Sequence, residues 1–282
     1  YLTGFYQNLP VRAFLAEPET DGRIFYNDSV DGFNFEQSNV LLDDALNQIL
    51  AIRNNSSNPT YYLGSLGISE TLPGFLTDND LDFNVEKIRK SIWLGNQSLI
   101  APHYDFPDNI ACCILGRRRF TLFPPAQLAN LYVGPIDLTP GGQQISMVDV
   151  RCPDLQRYPK FSQAMDVALT AELEPGDAIY IPSMWWHSVE SLSDINGLVN
   201  YWWRDTPDYL GVPNNALIHA LLSIKSLPDR QREAWQNIFN QYVFEQPSDL
   251  LDHLPVESKG RLGELDESKV RQLRAQLLNN LK

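Results

Sequence analysis

The stretch APHYDFPDNIACCILGRRRFTLFPP, residues 101–125, decides how the rest of the chain is read. It sets His103 and Asp105 two residues apart, ahead of two short apolar runs that read as a β-hairpin. Residues i and i+2 of a strand point to the same face. An extended segment therefore brings this imidazole and this carboxylate to one point, and a third ligand from elsewhere would complete a metal site.

Outward from that stretch, residues 91–204 alternate short apolar runs with turn residues. SIWLGNQSLI, NIACCIL, RRFTLFP, DAIYIPS, HSVESL and GLVNYWW each read as a strand, and LEPGD at 173–177 reads as a tight turn. Many short strands punctuated by Gly and Pro predict a sandwich, barrel or jelly roll. His187 ends the run EPGDAIYIPSMWWH, behind an apolar strand and a tryptophan pair. With His103 and Asp105 it supplies two imidazoles and one carboxylate. That donor set leaves positions open on an octahedral ion and suits Fe(II) oxygenases, which need room for a co-substrate and O2.

The flanks differ. Residues 36–53, EQSNVLLDDALNQILAIR, carry apolar residues at helical spacing, so a helix with Ser38 as N-cap is expected there. NNSSNP then breaks the chain before a strand at TYYLGSL. Beyond residue 210 the text turns helical, with Asp266 and Glu267 opening a segment striped by Val270, Leu273, Leu277 and Leu281. The expected organisation is a barrel with mixed N-terminal elements over 1–210 and a helical appendage over 211–282.

HYD, GRRRFTLFPP, PGDAIYIPSMWWHSVESL and VNYWW, in that order, resemble the JmjC/cupin-like Fe(II)- and 2-oxoglutarate-dependent oxygenases. The likeness spans roughly residues 60–205 and is greatest to the asparaginyl hydroxylases of that family. It implies a double-stranded β-helix, mainly β with helices, that binds Fe(II), 2-oxoglutarate and O2. It also implies His103, Asp105 and His187 as metal ligands. Tyr62 would then hydrogen-bond the co-substrate, Asn109 and Asn200 would lie near the co-substrate and the iron, and Trp202 would line the pocket. Relatives of this kind dimerise through C-terminal helices, so a homodimer built by residues 213–282 is expected, with Trp235 and Phe239 as anchors.

Two positions depart from the family pattern. Arg118 stands where a lysine usually pairs with the distal carboxylate of 2-oxoglutarate, and Ile100 stands where a threonine is common. Strand alternation puts Arg118, Phe120 and Leu122 on one face and Arg117, Arg119 and Thr121 on the other. If the apolar pair faces inward, Arg118 is buried, and a buried guanidinium calls for an anion. A guanidinium also binds a carboxylate in a fork that lysine cannot form.

Composition narrows the partners. A formal charge of −13 disfavours nucleic acid. The three cysteines argue against a disulfide framework and fit a reducing, cytoplasmic setting. No segment reads as a signal peptide or a membrane span. The expected reaction is hydroxylation of a C–H bond in a protein or peptide side chain, with a small molecule as a further substrate class. A cupin metalloenzyme that does not use 2-oxoglutarate, and a catalytically silent metal-binding module, are the alternatives.

Overall fold

The structure, a computed structural model, describes residues 1–52, 58–83, 85 and 87–281. In chain order the elements are β1 (Val11–Ala16), β2 (Arg23–Ile24), β3 (Phe35–Val40), α1 (Leu42–Ala51), β4 (Thr60–Gly67), α2 (Ile68–Thr71), β5 (Arg89–Gly95) and β6 (Leu99–Tyr104). Then come β7 (Asp108–Leu115), β8 (Arg118–Phe123), α3 (Phe161–Asp166), β9 (Leu169–Leu173), β10 (Ala178–Ile181), β11 (Trp186–Ser191) and β12 (Asn196–Trp203). The C-terminal helices are α4 (Pro213–Ser223), α5 (Asp229–Phe239) and α6 (Glu267–Asn280).

The strands form a seven-stranded sheet, β10-β7-β12-β5-β4-β1-β3, and a five-stranded sheet, β2-β6-β11-β8-β9. From β5 to β8, and again from β9 to β12, successive strands fall in opposite sheets. This is the jelly-roll plan that the sequence predicts. It corrects one expectation: β7 and β8 are not a hairpin. β7 pairs with β10 and β12, whereas β8 pairs with β9 and β11. The crossing runs through Gly116, at φ +70, where a Cβ would stand 2.3 Å from the Ile195 carbonyl oxygen. Such a turn takes glycine, and it carries the chain between layers instead of folding it back.

The span 91–100 is likewise two strands in two sheets, broken at residues 96–98. Asn96 locks that break, accepting from the Tyr61 N–H and donating to the Pro59 carbonyl. The expected helix over 36–53 is also corrected. Residues 36–40 belong to β3, which pairs with β1 from Val11↔Val40 to Ala16↔Phe35. An open edge of β1 takes a strand from a segment whose local spacing suits either state. The helix starts at Leu42 after an N-cap at Leu41, not Ser38, and buries Leu42, Ala45 and Ile49. Its predicted end at Arg53 lies outside the described residues.

Two cores flank the seven-stranded sheet. Outside, Ile92, Leu94, Val199 and Tyr201 pack with α1 and α2. Inside, Ala111, Cys113, Ile181 and Leu198 meet Phe120, Leu122, Leu173 and Val189 of the five-stranded sheet. Alternation along β5 and β12 therefore turns Ser91, Trp93, Asn200 and Trp202 to the interior.

Residues 1–204 and 205–282 form two compact units. In the second, Val270 alone is buried among the described residues, and α6 opens with the Asp266 carboxylate accepting from the Lys269 N–H at 2.8 Å. Among the described residues, no helix is long and apolar enough to cross a membrane.

Candidate metal centre

His103 lies on β6, Asp105 follows its end, and His187 lies on β11. His103 and His187 are direct cross-strand partners, with ring centroids 4.3 Å apart. One ligand atom from each of the three side chains lies within 4.8 Å of the others, a group that could hold a metal ion. The His187 Nε2 stands 3.8 Å from an Asp105 oxygen.

Local structure aims each group. The β6–β11 register slips between His187 and Val189, so Ala101 and Pro102 together oppose Ser188. That bulge lets both Ile100 and His103 face the interior, although their odd spacing would place them on opposite faces of a regular strand. The His103 Nδ1 lies 2.9 Å from the Ala101 carbonyl, and the His187 Nδ1 lies 3.1 Å from the Trp185 carbonyl. A carbonyl at Nδ1 selects the tautomer with Nδ1–H donating, which leaves each Nε2 lone pair for a metal. The Met184 N–H donates to the Asp105 carbonyl at 2.9 Å. Met184 does this from φ +66, a left-handed backbone that a non-glycine residue adopts only under constraint.

Burial, and the facing His103, push the His187 pKa down to about 4. A free imidazole titrates near pH 6.5 and predicts metal loss from about that pH downward. In the metal-free protein His187 stays neutral well below that pH, because burial and the facing His103 disfavour its charged form.

The other residues of interest come from both sheets. Arg118, on the inner face of β8, is 2% exposed. Its Nε and Nη2 have no hydrogen-bond partner among the described residues. Burial lowers its pKa, while Tyr62 and Cys113 act against that shift. Arg119 points the other way and pairs with Glu172 and Glu190. Tyr62, on β4, is pushed up by burial and interacts with both Arg118 and Asp105. The Asn200 Nδ2 donates to the Asn109 Oδ1 at 2.7 Å, leaving the Asn200 Oδ1 without a partner among the described residues. The Trp202 indole N–H is in the same condition, and Arg89 lies 5.5 Å over its ring.

Sequence reasoning passed over Trp93. Its ring centroid is 5.8 Å from that of Tyr62 and 5.9 Å from that of Trp202. The available signal was alternation: Trp93 lies two residues from Ser91 on an inward-facing register.

A family model described as a cupin-like domain matches residues 1–209. The chain belongs to the cupin-like domain family. Within reach of this cupin-like chain, HSPB1-associated protein 1 of Homo sapiens is 32% identical over 151 residues, covering 52% of this chain and 30% of that protein. JmjC domain-containing protein D of Dictyostelium discoideum is 35% identical over 148 residues, covering 52% and 30%. tRNA wybutosine-synthesizing protein 5 of Danio rerio is 30% identical over 165 residues, covering 54% and 48%. The cupin-like chain thus spans between 30% and 48% of the lengths of these relatives.

Proposed function

We propose that this cupin-like protein is an Fe(II)- and 2-oxoglutarate-dependent dioxygenase that hydroxylates a C–H bond of a protein or peptide side chain. The observation that carries the reading is Arg118. Its buried guanidinium leaves Nε and Nη2 without a partner among the described residues, a pair of donor atoms that suits a carboxylate, and it stands on the strand beside the one that bears His187. His187 pairs with Leu122 and Ser191 pairs with Arg118, so the two lie four register steps apart, roughly 13 Å along the sheet. An oxo acid that met the metal ligands at one end would present its far carboxylate toward the arginine.

His103, Asp105 and His187 would hold the ferrous ion through two neutral nitrogens and one carboxylate oxygen, leaving other positions open. When bound, iron and 2-oxoglutarate supply O2 activation, and the turnover converts substrate C–H to C–OH with release of succinate and CO2. The chain's residues have positioning tasks. Arg118 and Tyr62 take the far carboxylate. The Asn109–Asn200 pair presents a fixed carbonyl oxygen to the pocket. Trp202 and Trp93 wall it against water.

A net charge of −13 favours a protein or peptide substrate over a polyanion, and the likeness to HSPB1-associated protein 1 supports a protein partner. The asparaginyl-hydroxylase pattern seen in the sequence makes a side-chain amide residue the first substrate to try. We assign the protein to the cytoplasm. The helices of residues 205–281 leave Leu217, Ile218, Leu222, Trp235 and Phe244 exposed, which supports a homodimer through this unit.

Anaerobic titration of Fe(II), with and without 2-oxoglutarate, tests the reading. Charge-transfer absorption should develop when both are present and vanish in His187→Ala. Iron binding with no such band would leave a cupin metalloenzyme that does not use 2-oxoglutarate.

A further inference from the structure

Trp93 holds a polar group that its surroundings leave unused. The indole N–H is out of contact with solvent and has no hydrogen-bond partner among the described residues. Buried indole N–H groups ordinarily find an acceptor. The benzo edge of the ring packs on β4: a Cβ built on Gly64 would stand 3.2 Å from Trp93 Cζ3. Nε1 lies on the other edge of the indole, so the N–H points away from β4 and its backbone.

The register says what it faces. Leu198 pairs with Trp93 on one side and with Cys113 on the other, so Cys113, Leu198 and Trp93 form one row across β7, β12 and β5. Tyr62 stands on the next strand, paired with Gly95. Arg118, on the opposite sheet, interacts electrostatically with both Tyr62 and Cys113. Trp93 therefore lies between the two groups that the guanidinium faces. Phe120, Leu122, Val189 and Leu198 form an apolar cluster here, with Trp93 and Ile100 packed on it.

A carboxylate has about four lone-pair directions; the arginine fork takes two and the Tyr62 hydroxyl a third. The fourth needs a donor, because an unmatched polar atom in a buried site is unfavourable. Ile100 has no hydroxyl to offer. We propose that the Trp93 Nε1–H donates to the same carboxylate that Arg118 binds, which makes Trp93 a specificity-determining residue for the second carboxylate of the co-substrate. The proposal rests on the 2-oxoglutarate reading above and adds a donor that the reading does not require.

The test is calorimetric titration of 2-oxoglutarate, and of 2-oxobutyrate, which ends in a methyl group, into the Mn(II)-loaded protein. Wild type, Arg118→Ala and Trp93→Phe are compared. Trp93→Phe should weaken 2-oxoglutarate about ten- to a hundredfold and leave 2-oxobutyrate unchanged. Equal weakening of both oxo acids would reduce Trp93 to packing, and no weakening would remove it from the site; either result overturns the proposal. The co-substrate reading itself fails on a different observation, wild type that prefers 2-oxoglutarate to 2-oxobutyrate by nothing. A second measurement does not depend on the variant folding. In the 15N-labelled, Zn(II)-loaded wild type, one buried indole N–H resonance should move downfield with 2-oxoglutarate and stay in place with 2-oxobutyrate. Indole resonances that respond alike to both would also overturn it.

Discussion

Replacing Arg118 by methionine should push stability and ligand affinity in opposite directions. The side chain is 2% exposed, and its Nε and Nη2 have no partner among the described residues. Without a bound anion the folded protein holds a cation out of water, a penalty of several kcal/mol that relaxation offsets in part. Methionine fills similar volume without charge. The ligand-free variant should gain about 1–4 kcal/mol, which is several degrees in Tm for a unit of this size. Affinity should fall instead. Losing one side of a buried charged contact costs about 2–5 kcal/mol, or roughly thirtyfold to a few thousandfold in Kd. Thermal scans of the protein with and without 2-oxoglutarate measure both effects. Wild type should gain about 2.7 kcal/mol at a ligand concentration one hundred times its Kd, and Arg118→Met should gain at most about 0.9 kcal/mol at that concentration. Arg118→Lys should recover part of the affinity, since it restores the charge but not the fork. A ligand-free Arg118→Met less stable than wild type, yet still binding 2-oxoglutarate normally, would refute the reasoning. So would Arg117→Ala or Arg119→Ala having the same effect on affinity, because both side chains are solvent-facing.

Asp105→Ala should abolish Fe(II) binding while leaving far-UV circular dichroism unchanged, since the residue follows β6 and lies outside every core cluster; retained stoichiometric iron would reject the ligand assignment. His187 gives a pH signature in the metal-free protein. Its folded pKa, about 4, lies below that of an unfolded imidazole near 6.5, so the unfolded chain binds the proton first. Stability should be full above pH 6.5 and fall on the order of 3 kcal/mol as pH drops toward 4. Urea titrations should show this slope flattened in His187→Asn, and an unaltered slope would mean that another group supplies it. Trp235→Ala should shift a dimer to monomer at micromolar concentration in sedimentation velocity, with a loss of about 2 kcal/mol or more if it anchors the interface; a monomeric wild type rejects the interface outright.

Much of this arrangement can be read from local spacing. His103 and Asp105 are two apart, His187 ends a strand behind a Pro-Gly-Asp turn, and alternation separates Arg118 from Arg117 and Arg119. These are properties of one strand at a time. What depends on a partner strand is not legible in the same way. The bulge opposite Ser188 turns Ile100 and His103 to one side, and no count along β6 reveals it. Whether β7 and β8 pair or cross between sheets depends on β10, β11 and β12, far along the chain. Residues 36–40 suit a helix until β1 offers an edge. The low pKa of His187 comes from burial and a histidine 84 residues away in sequence, brought opposite by register. Trp93 resembles any core tryptophan until its N–H is found without an acceptor.

The pocket's charges are distributed unevenly between its walls. Asp105, the two histidines and Arg118 all belong to the five-stranded sheet or its margin, while Tyr62, Ser91, Trp93, Asn109, Asn200 and Trp202 on the facing wall carry no formal charge. Charge on this wall therefore runs from Asp105, two residues past His103, to Arg118, which lies four register steps from His187 on the other side. A molecule with unlike ends would be turned like a compass needle before touching anything, and would arrive already lengthwise to the strands. The neutral wall is left to judge shape. Substitutions there should alter which molecules fit, and substitutions on the charged wall should alter which way round they enter.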